Sequence, residues 1–296
     1  MTLRESYKIY VQIVLANVFW GFSFVWTDVA LRAGIQPVTL VAARLAIATA
    51  LLGMFAFFTH NIQKISLKHL KYFLALALFE PFLYFLCETY GQTLVSPTVT
   101  SVIIATIPVF TLLAAIIFLK EKVNFMTSLG IIISLLGVLA VVFVDYQDFK
   151  GQIVGTLLVF GAVVVSIAYA VFVKYLTAHY NATTIVFYQN LIGLLYFVPC
   201  FFLIDFQHIN QIKITSEALW AIVLLAVFAS VIAFIFYSRA IRIIGVAKAG
   251  VFCYVIPVLT ALFAYFIVNE KLTLVQWCGI LLVMAGLFVS QTGKKN

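Results

Sequence analysis

Val102–Gly137 reads VIIATIPVFTLLAAIIFLKEKVNFMTSLGIIISLLG, and its pattern occurs twice. IPVFT at Ile107–Thr111 is followed by Glu121-Lys122, Gly130-Ile131 and Gly137. At an offset of 149 residues, and without a gap, come IPVLT at Ile256–Thr260, Glu270-Lys271, Gly279-Ile280 and Gly286. Over Thr98–Ala140 against Ala247–Val289, 12 of 43 positions are identical. Apolar stretches match by chance. A proline, a threonine, a Glu-Lys pair and two glycines in one register signal a duplication.

Around this stretch the chain is 65% hydrophobic and 9% charged over 296 residues, with a mean hydropathy of +1.17. Soluble domains carry roughly 25% charged residues. A soluble fold of this composition would lack polar surface, so the chain is read as an all-α integral membrane protein. Ten apolar runs are long enough to cross a bilayer, near 8–30, 37–58, 69–92, 97–119, 125–144, 151–174, 182–204, 217–241, 245–268 and 273–291. They are continuous and do not alternate, which excludes a β-barrel. The first run is too long for the core of a cleaved leader and reads as a span. The net charge of +8 is scattered at helix ends and does not suggest nucleic acid.

With a cytoplasmic N-terminus, 13 Lys/Arg fall on the inner side and 4 on the outer, while Arg44 lies within span 2. Both termini are therefore expected in the cytoplasm. Span 4 matches span 9 and span 5 matches span 10, so the repeat is five spans, 1–146 and 147–296. Five is odd, and the second copy enters the membrane inverted. Inverted repeats of this kind belong to secondary transporters with a site at the midplane between the halves.

Three features together carry a resemblance: WGFSF at Trp20–Phe24, the run from Pro37 through Arg44 to Ala48, and the two P…EK…G…G modules. On these the chain resembles the EamA branch of the drug/metabolite transporter superfamily over nearly its whole length. The resemblance implies a ten-helix bundle in a bacterial inner membrane. It also implies a cavity lined mainly by spans 1, 3, 4, 6, 8 and 9, and movement of small metabolites or drugs, often outward (efflux). It is nearly silent about substrate.

Substrate-binding or coupling candidates come from polar and aromatic groups at depth. A charge at mid-span costs roughly 2.5–3.5 kcal/mol on insertion scales, so Glu80 in span 3 is read as functional: facing a wet cavity, paired, or protonated. Tyr84 and Glu88 follow at four and eight residues, on one helical stripe. Paired acids are not part of the family pattern and point to proton coupling or recognition of an amine. A structural acid bonded to a neighbouring helix is the competing reading. Trp20, Tyr169, Tyr237 and Tyr254 are candidates for an aromatic wall that can hold a cation, against lipid-facing or packing roles. Asn17 is carried with them, although helix–helix hydrogen bonding competes. Asp28 and Arg44 are expected as a gate or structural pair, with Arg44–Glu88 as the alternative. Pro108 and Pro257 are candidate hinges at matched positions. The two glycine pairs read as scaffold or dimer contacts, and the Glu-Lys pairs as loop-ordering charges.

No cofactor and no metal site is expected. Cys87, Cys200, Cys253 and Cys278 show no CxxC spacing, and the four histidines lie near span ends. An intramembrane enzyme would need a nucleophile–base pair or metal ligands at depth, so the chain is read as not an enzyme. A channel shares the topology. Nucleotide-sugar or organic-phosphate exchange would want basic residues at the midplane, where this chain has acids. The expected partners are lipid and a small molecule, with protons as a candidate, in a monomer or homodimer.

Overall fold

A computed structural model describes residues 3–111, 113, 125–143, 149–207 and 215–292. Glu121 and Lys122, together with the last residues expected in span 4, lie outside the described residues. The described chain is helical. We number its apolar segments α1 (Leu3–Arg32), α2 (Pro37–Thr59), α3 (Leu67–Gln92), α4 (Pro97–Thr111), α5 (Phe125–Val142), α6 (Phe149–Thr177), α7 (Ala182–Asp205), α8 (Ser216–Ile244), α9 (Lys248–Ile267) and α10 (Leu274–Thr292). Eight are long and apolar enough to cross a membrane; α4 and α10 are shorter apolar helices.

Their ends follow local chemistry. Pro37 and Pro97 occupy the first turns of α2 and α4, where a missing N–H costs nothing. Ser96, Asn181 and Thr215 cap α4, α7 and α8 by accepting from Val99 N, Thr184 N and Ala218 N. Gly245 at φ 82° turns the chain from α8 into α9, a backbone region that costs glycine little.

The packing has a two-fold pattern. Helix α1 packs on α8 and α9, as α6 packs on α3 and α4. Helix α2 packs on α7, α4 on α9, and α5 on α10. Exchanging α1 with α6, α2 with α7, and so on through α10 leaves this set unchanged. The short connections make successive helices antiparallel, so the two five-helix copies are inverted.

The glycines of the opening stretch explain the closest of these contacts. A Cβ on Gly130 would lie 2.3 Å from Ser290 N, and one on Gly286 2.3 Å from Ser134 N. Gly137 meets Val283 and Gly279 in the same way. The two seams therefore face each other, antiparallel, inside one chain and serve as scaffold. Backbone contact at this range gives packing that lipid-facing side chains could not.

Polar latches tie the copies together beside the bundle. Asp205 at the end of α7 accepts from Thr39 N at 2.7 Å and from Thr39 Oγ1 at 2.8 Å, at the start of α2. At the opposite membrane face, Gln63 N donates to Thr184 Oγ1 at 2.9 Å, at the start of α7.

Gly286→Ala is expected to lower thermal stability by roughly 1–3 kcal/mol, because backbone on both sides must move apart. Thermal unfolding in detergent checks it; an unshifted melting curve contradicts the tight seam.

Candidate functional site

The site begins with a break in α3. Pro81 offers no N–H and crowds the carbonyl of Ala77. At Glu80 the backbone leaves the helix, with φ −143° and ψ 116°, and the Glu80–Pro81 peptide is cis. Gly193 of α7 makes room for the ring; a Cβ there would lie 2.2 Å from Pro81 Cγ. The break directs the Glu80 side chain into a cavity between the two copies.

That cavity has a volume of about 270 Å³. It draws on α1, α2, α3, α4, α6, α8 and α9. Of the sequence candidates, Trp20, Glu80, Tyr84, Glu88, Tyr169, Tyr237, Arg44 and Pro108 line it. Trp20 stands edge-on to Phe234 and Tyr237, with ring centroids 5.4 and 4.9 Å apart. Asn17 and Tyr254 are buried outside the lining, and Asn17 donates to Ile13 O at 2.6 Å.

The expected Asp28–Arg44 pair does not form. Asp28 pairs with Arg32 at 2.6 Å, because four-residue spacing puts both on one face of α1. Arg44 turns inward. Its Nε donates to Ser230 Oγ at 3.0 Å, and its guanidinium stands 4.2 Å from the Phe85 ring centroid. Arg44 shares the cavity with Glu80 and Glu88 without a direct ion pair to either, and neither carboxylate receives a hydrogen bond among the described residues. The site thus holds two acids, one guanidinium and a wall of rings.

The 149-residue offset also organises the lining. Trp20 and Tyr169, Phe85 and Phe234, Glu88 and Tyr237, and Ile107 and Ile256 are matched pairs, all on the cavity wall. The α-helical pattern is also interrupted at matched places. Helix α4 is interrupted at Ala105-Thr106, just before Pro108, and α9 at Phe252–Val255, just before Pro257. Phe85, Phe234, Ser230 and Cys253 were not singled out from the sequence. Applying the offset to every candidate would have found Ser166, from Asn17, and Ala105, from Tyr254, both on the cavity wall.

The pairing is incomplete. Near mid-depth Ser23, Arg44, Tyr84 and Ser166 line the cavity, and their counterparts Phe172, Gly193, Ala233 and Asn17 do not. Ala170, Thr111, Ile241 and Gly250 also line it, whereas Gly21, Thr260, Gln92 and Ser101 are buried outside it. These four lining residues lie toward the side on which α1 begins, called here the N-terminal side, and the cavity extends that way. At the other side Gln92 Nε2 donates to Phe24 O at 2.5 Å, Thr260 Oγ1 to Gly21 O at 3.1 Å, and Thr98 Oγ1 to Glu270 Oε2 at 2.9 Å. Phe22 stacks on Phe263 with centroids 3.5 Å apart. That end is sealed.

With this geometry in view, the comparisons with known proteins are informative. The sequence profile of the EamA-like transporter family matches residues 7–143 and again 153–292. The chain belongs to the EamA-like transporter family. An uncharacterized transporter of Archaeoglobus fulgidus is 28% identical over 95% of this chain and 98% of its own. The uncharacterized transporter YoaV of Bacillus subtilis is 23% identical over 96% of each. A crystal structure aligns with a TM-score of 0.67 at 17% identity, over 93% of this chain and 98% of that one, which supports the fold. This EamA-like protein is a multi-pass membrane transporter, and its matched halves are the two inverted copies.

Glu270, in the loop between α9 and α10, belongs to the sealed end. Burial pushes its carboxyl above the ordinary carboxylate range, against hydrogen bonds from Ser96 and Thr98 that favour the charged form. An acid raised in the folded state stabilises most below its unfolded pKa, and the contribution is lost as pH rises through the folded value. Glu270→Gln is expected to flatten that loss. Melting temperatures of both proteins from about pH 4 to 8 check it; parallel curves contradict the assignment.

Proposed function

We propose that this protein is a secondary transporter working by alternating access, and that it carries small molecules bearing a protonated nitrogen: amines, amino acids or organic cations. The observation that carries this reading is the placement of Glu80 and Glu88 with a single counter-charge, Arg44, in one buried cavity. With both acids ionised, the described charged residues of the wall leave a surplus of one negative charge. A charge out of water needs a partner. A substrate cation supplies it, or a proton does, and competition between the two couples their movement.

Trp20, Tyr84, Tyr169 and Tyr237 suit this role. Rings give apolar area, and their faces hold ammonium groups by roughly 0.5–2 kcal/mol each. The volume of about 270 Å³ is just below the usual range of ligand cavities, roughly 300–1,000 Å³, and fits one metabolite at a time. Arg44 gives amino acids a place for their carboxylate. Exchange of sugar phosphates is disfavoured, since acids outnumber the one basic group on the described wall.

The halves 1–146 and 147–296 act as the two rocking units, with Pro108 and Pro257 as their hinges. Glu80 is the coupling acid. The bias of Lys and Arg supports a bacterial inner-membrane protein with both termini in the cytoplasm; on that reading the cavity opens inward and loads substrate for export. An energy source in the proton gradient needs no nucleotide site.

Purified protein in proteoliposomes is expected to show saturable counterflow of an amine or amino acid, identified first by thermal-shift screening against amino acids, polyamines, nucleosides and cationic drugs. Unsaturable, electrodiffusive flux would instead make it a channel. Glu80→Gln is expected to lower uphill transport driven by a pH gradient by about tenfold or more, a change of ~1.4 kcal/mol, while counterflow persists. Wild-type uphill rates in that variant remove Glu80 from coupling.

A further inference from the structure

The sealed and open ends of the cavity contain the same two elements in different states. At the sealed end Thr260 of α9 crosses to α1, donating to Gly21 O at 3.1 Å. At the open end the matched threonine, Thr111 of α4, bonds back to its own helix, donating to Ile107 O at 2.8 Å. Its matched partner, Ala170 of α6, lines the cavity with it. Position 149 residues before Ala170 is Gly21. The two ends thus differ in conformation, and within this threonine contact they differ in chemistry at Gly21 against Ala170.

Gly21 is where α1 approaches α9 closely. A Cβ on Gly21 would lie 2.9 Å from Leu259 Cβ and 3.6 Å from Thr260 N. Phe110 stands at the position matched to Leu259. If the open end closes as the sealed end has closed, the Cβ of Ala170 meets Phe110 where Gly21 offers only hydrogen.

We propose that Thr111 and Ala170 form the closing contact of the N-terminal side, and that the Ala170 methyl holds this end open at rest. On closure the Thr111 hydroxyl leaves Ile107 O and donates to Ala170 O, while the Gly21–Thr260 contact parts. A rotation that exchanges the conformations of the copies does both at once. The extra methyl makes the two states unequal: the seal at Gly21 closes fully, and the one at Ala170 closes against an overlap that neighbours must absorb. This inference rests on the alternating-access reading and adds to it the residues of the second gate and the resting state.

Cys253 lines the cavity and reports its exposure. A protein keeping Cys253 alone, with Cys87, Cys200 and Cys278 replaced by Ala, is placed in sealed vesicles whose orientation is fixed by protease access to an N-terminal tag. A membrane-impermeant maleimide is then added from each side. Wild-type labelling is expected to be faster from the N-terminal side. Ala170→Gly is expected to lower that ratio by about fivefold, the scale of a small population shift, and Gly21→Ala, which puts the same methyl against the opposite seal, to lower it as well. Thr111→Val removes the donor and raises the ratio; Thr111→Ser restores it, which separates a gate from a general packing defect. Counterflow is measured on the same vesicles. Counterflow with a ratio unmoved by Ala170→Gly overturns the gate and spares alternating access. A shifted ratio in vesicles without counterflow of the amine or amino acid supports the gate and overturns the proposed substrate class.

Discussion

Lipid offers a peptide group no hydrogen-bonding partner, and the breaks in the helices around the cavity answer to that constraint. Backbone geometry leaves the helix at Glu80, and the α-helix gives way to a turn at Ala105-Thr106 and to a 3₁₀ turn at Phe252–Val255. These breaks lie on segments that line the cavity, inside protein. The same rule governs the charges. Asp28 has Arg32 one turn away, Asp205 has the Thr39 hydroxyl and amide, and Arg44 has Ser230 and the face of Phe85. Glu80 and Glu88 lack such partners among the described residues, which makes them conspicuous. A protein that satisfies its other buried charges has left room at these two.

The duplication supplies the frame, and its imperfections supply the site. Glycine seams, interrupted helices before Pro108 and Pro257, and matched rings around the cavity follow one plan executed twice. Glu80-Pro81 stands opposite Ala229-Ser230, and Glu88 opposite Tyr237. The Pro81 ring wedges against Gly193, while Ser230 accepts from Arg44 and, through its carbonyl, from the Asn190 amide at 3.4 Å. Positions equivalent in the scaffold thus do opposite things: one breaks a helix to expose an acid, the other anchors its counter-charge.

Fold and membrane class were legible in the sequence because lipid imposes length and apolarity on each segment, and the repeat imposes order. The acid stripe of α3 was legible because charge in an apolar run is costly enough to need a reason. The Asp28–Arg44 pairing was misread since proximity in depth says nothing of azimuth. Arg32, four residues along the same helix, was the nearer partner by spacing alone. Asn17 and Tyr254 have the depth of cavity residues, but depth says nothing of facing: Asn17 bonds back to Ile13 O of its own helix, and Tyr254 is buried outside the lining.

The seam between α5 and α10 has a wider consequence. Within the repeat it is one surface meeting itself about a two-fold axis, the isologous contact of a symmetric dimer. Two separate copies of a single repeat could form that contact, but they would carry every side chain twice, an acid at position 80 included. Joining the copies in one chain removes this requirement. A fused chain can put a carboxylate on one side of the axis and a serine on the other, and so present an asymmetric substrate with a site that has a direction.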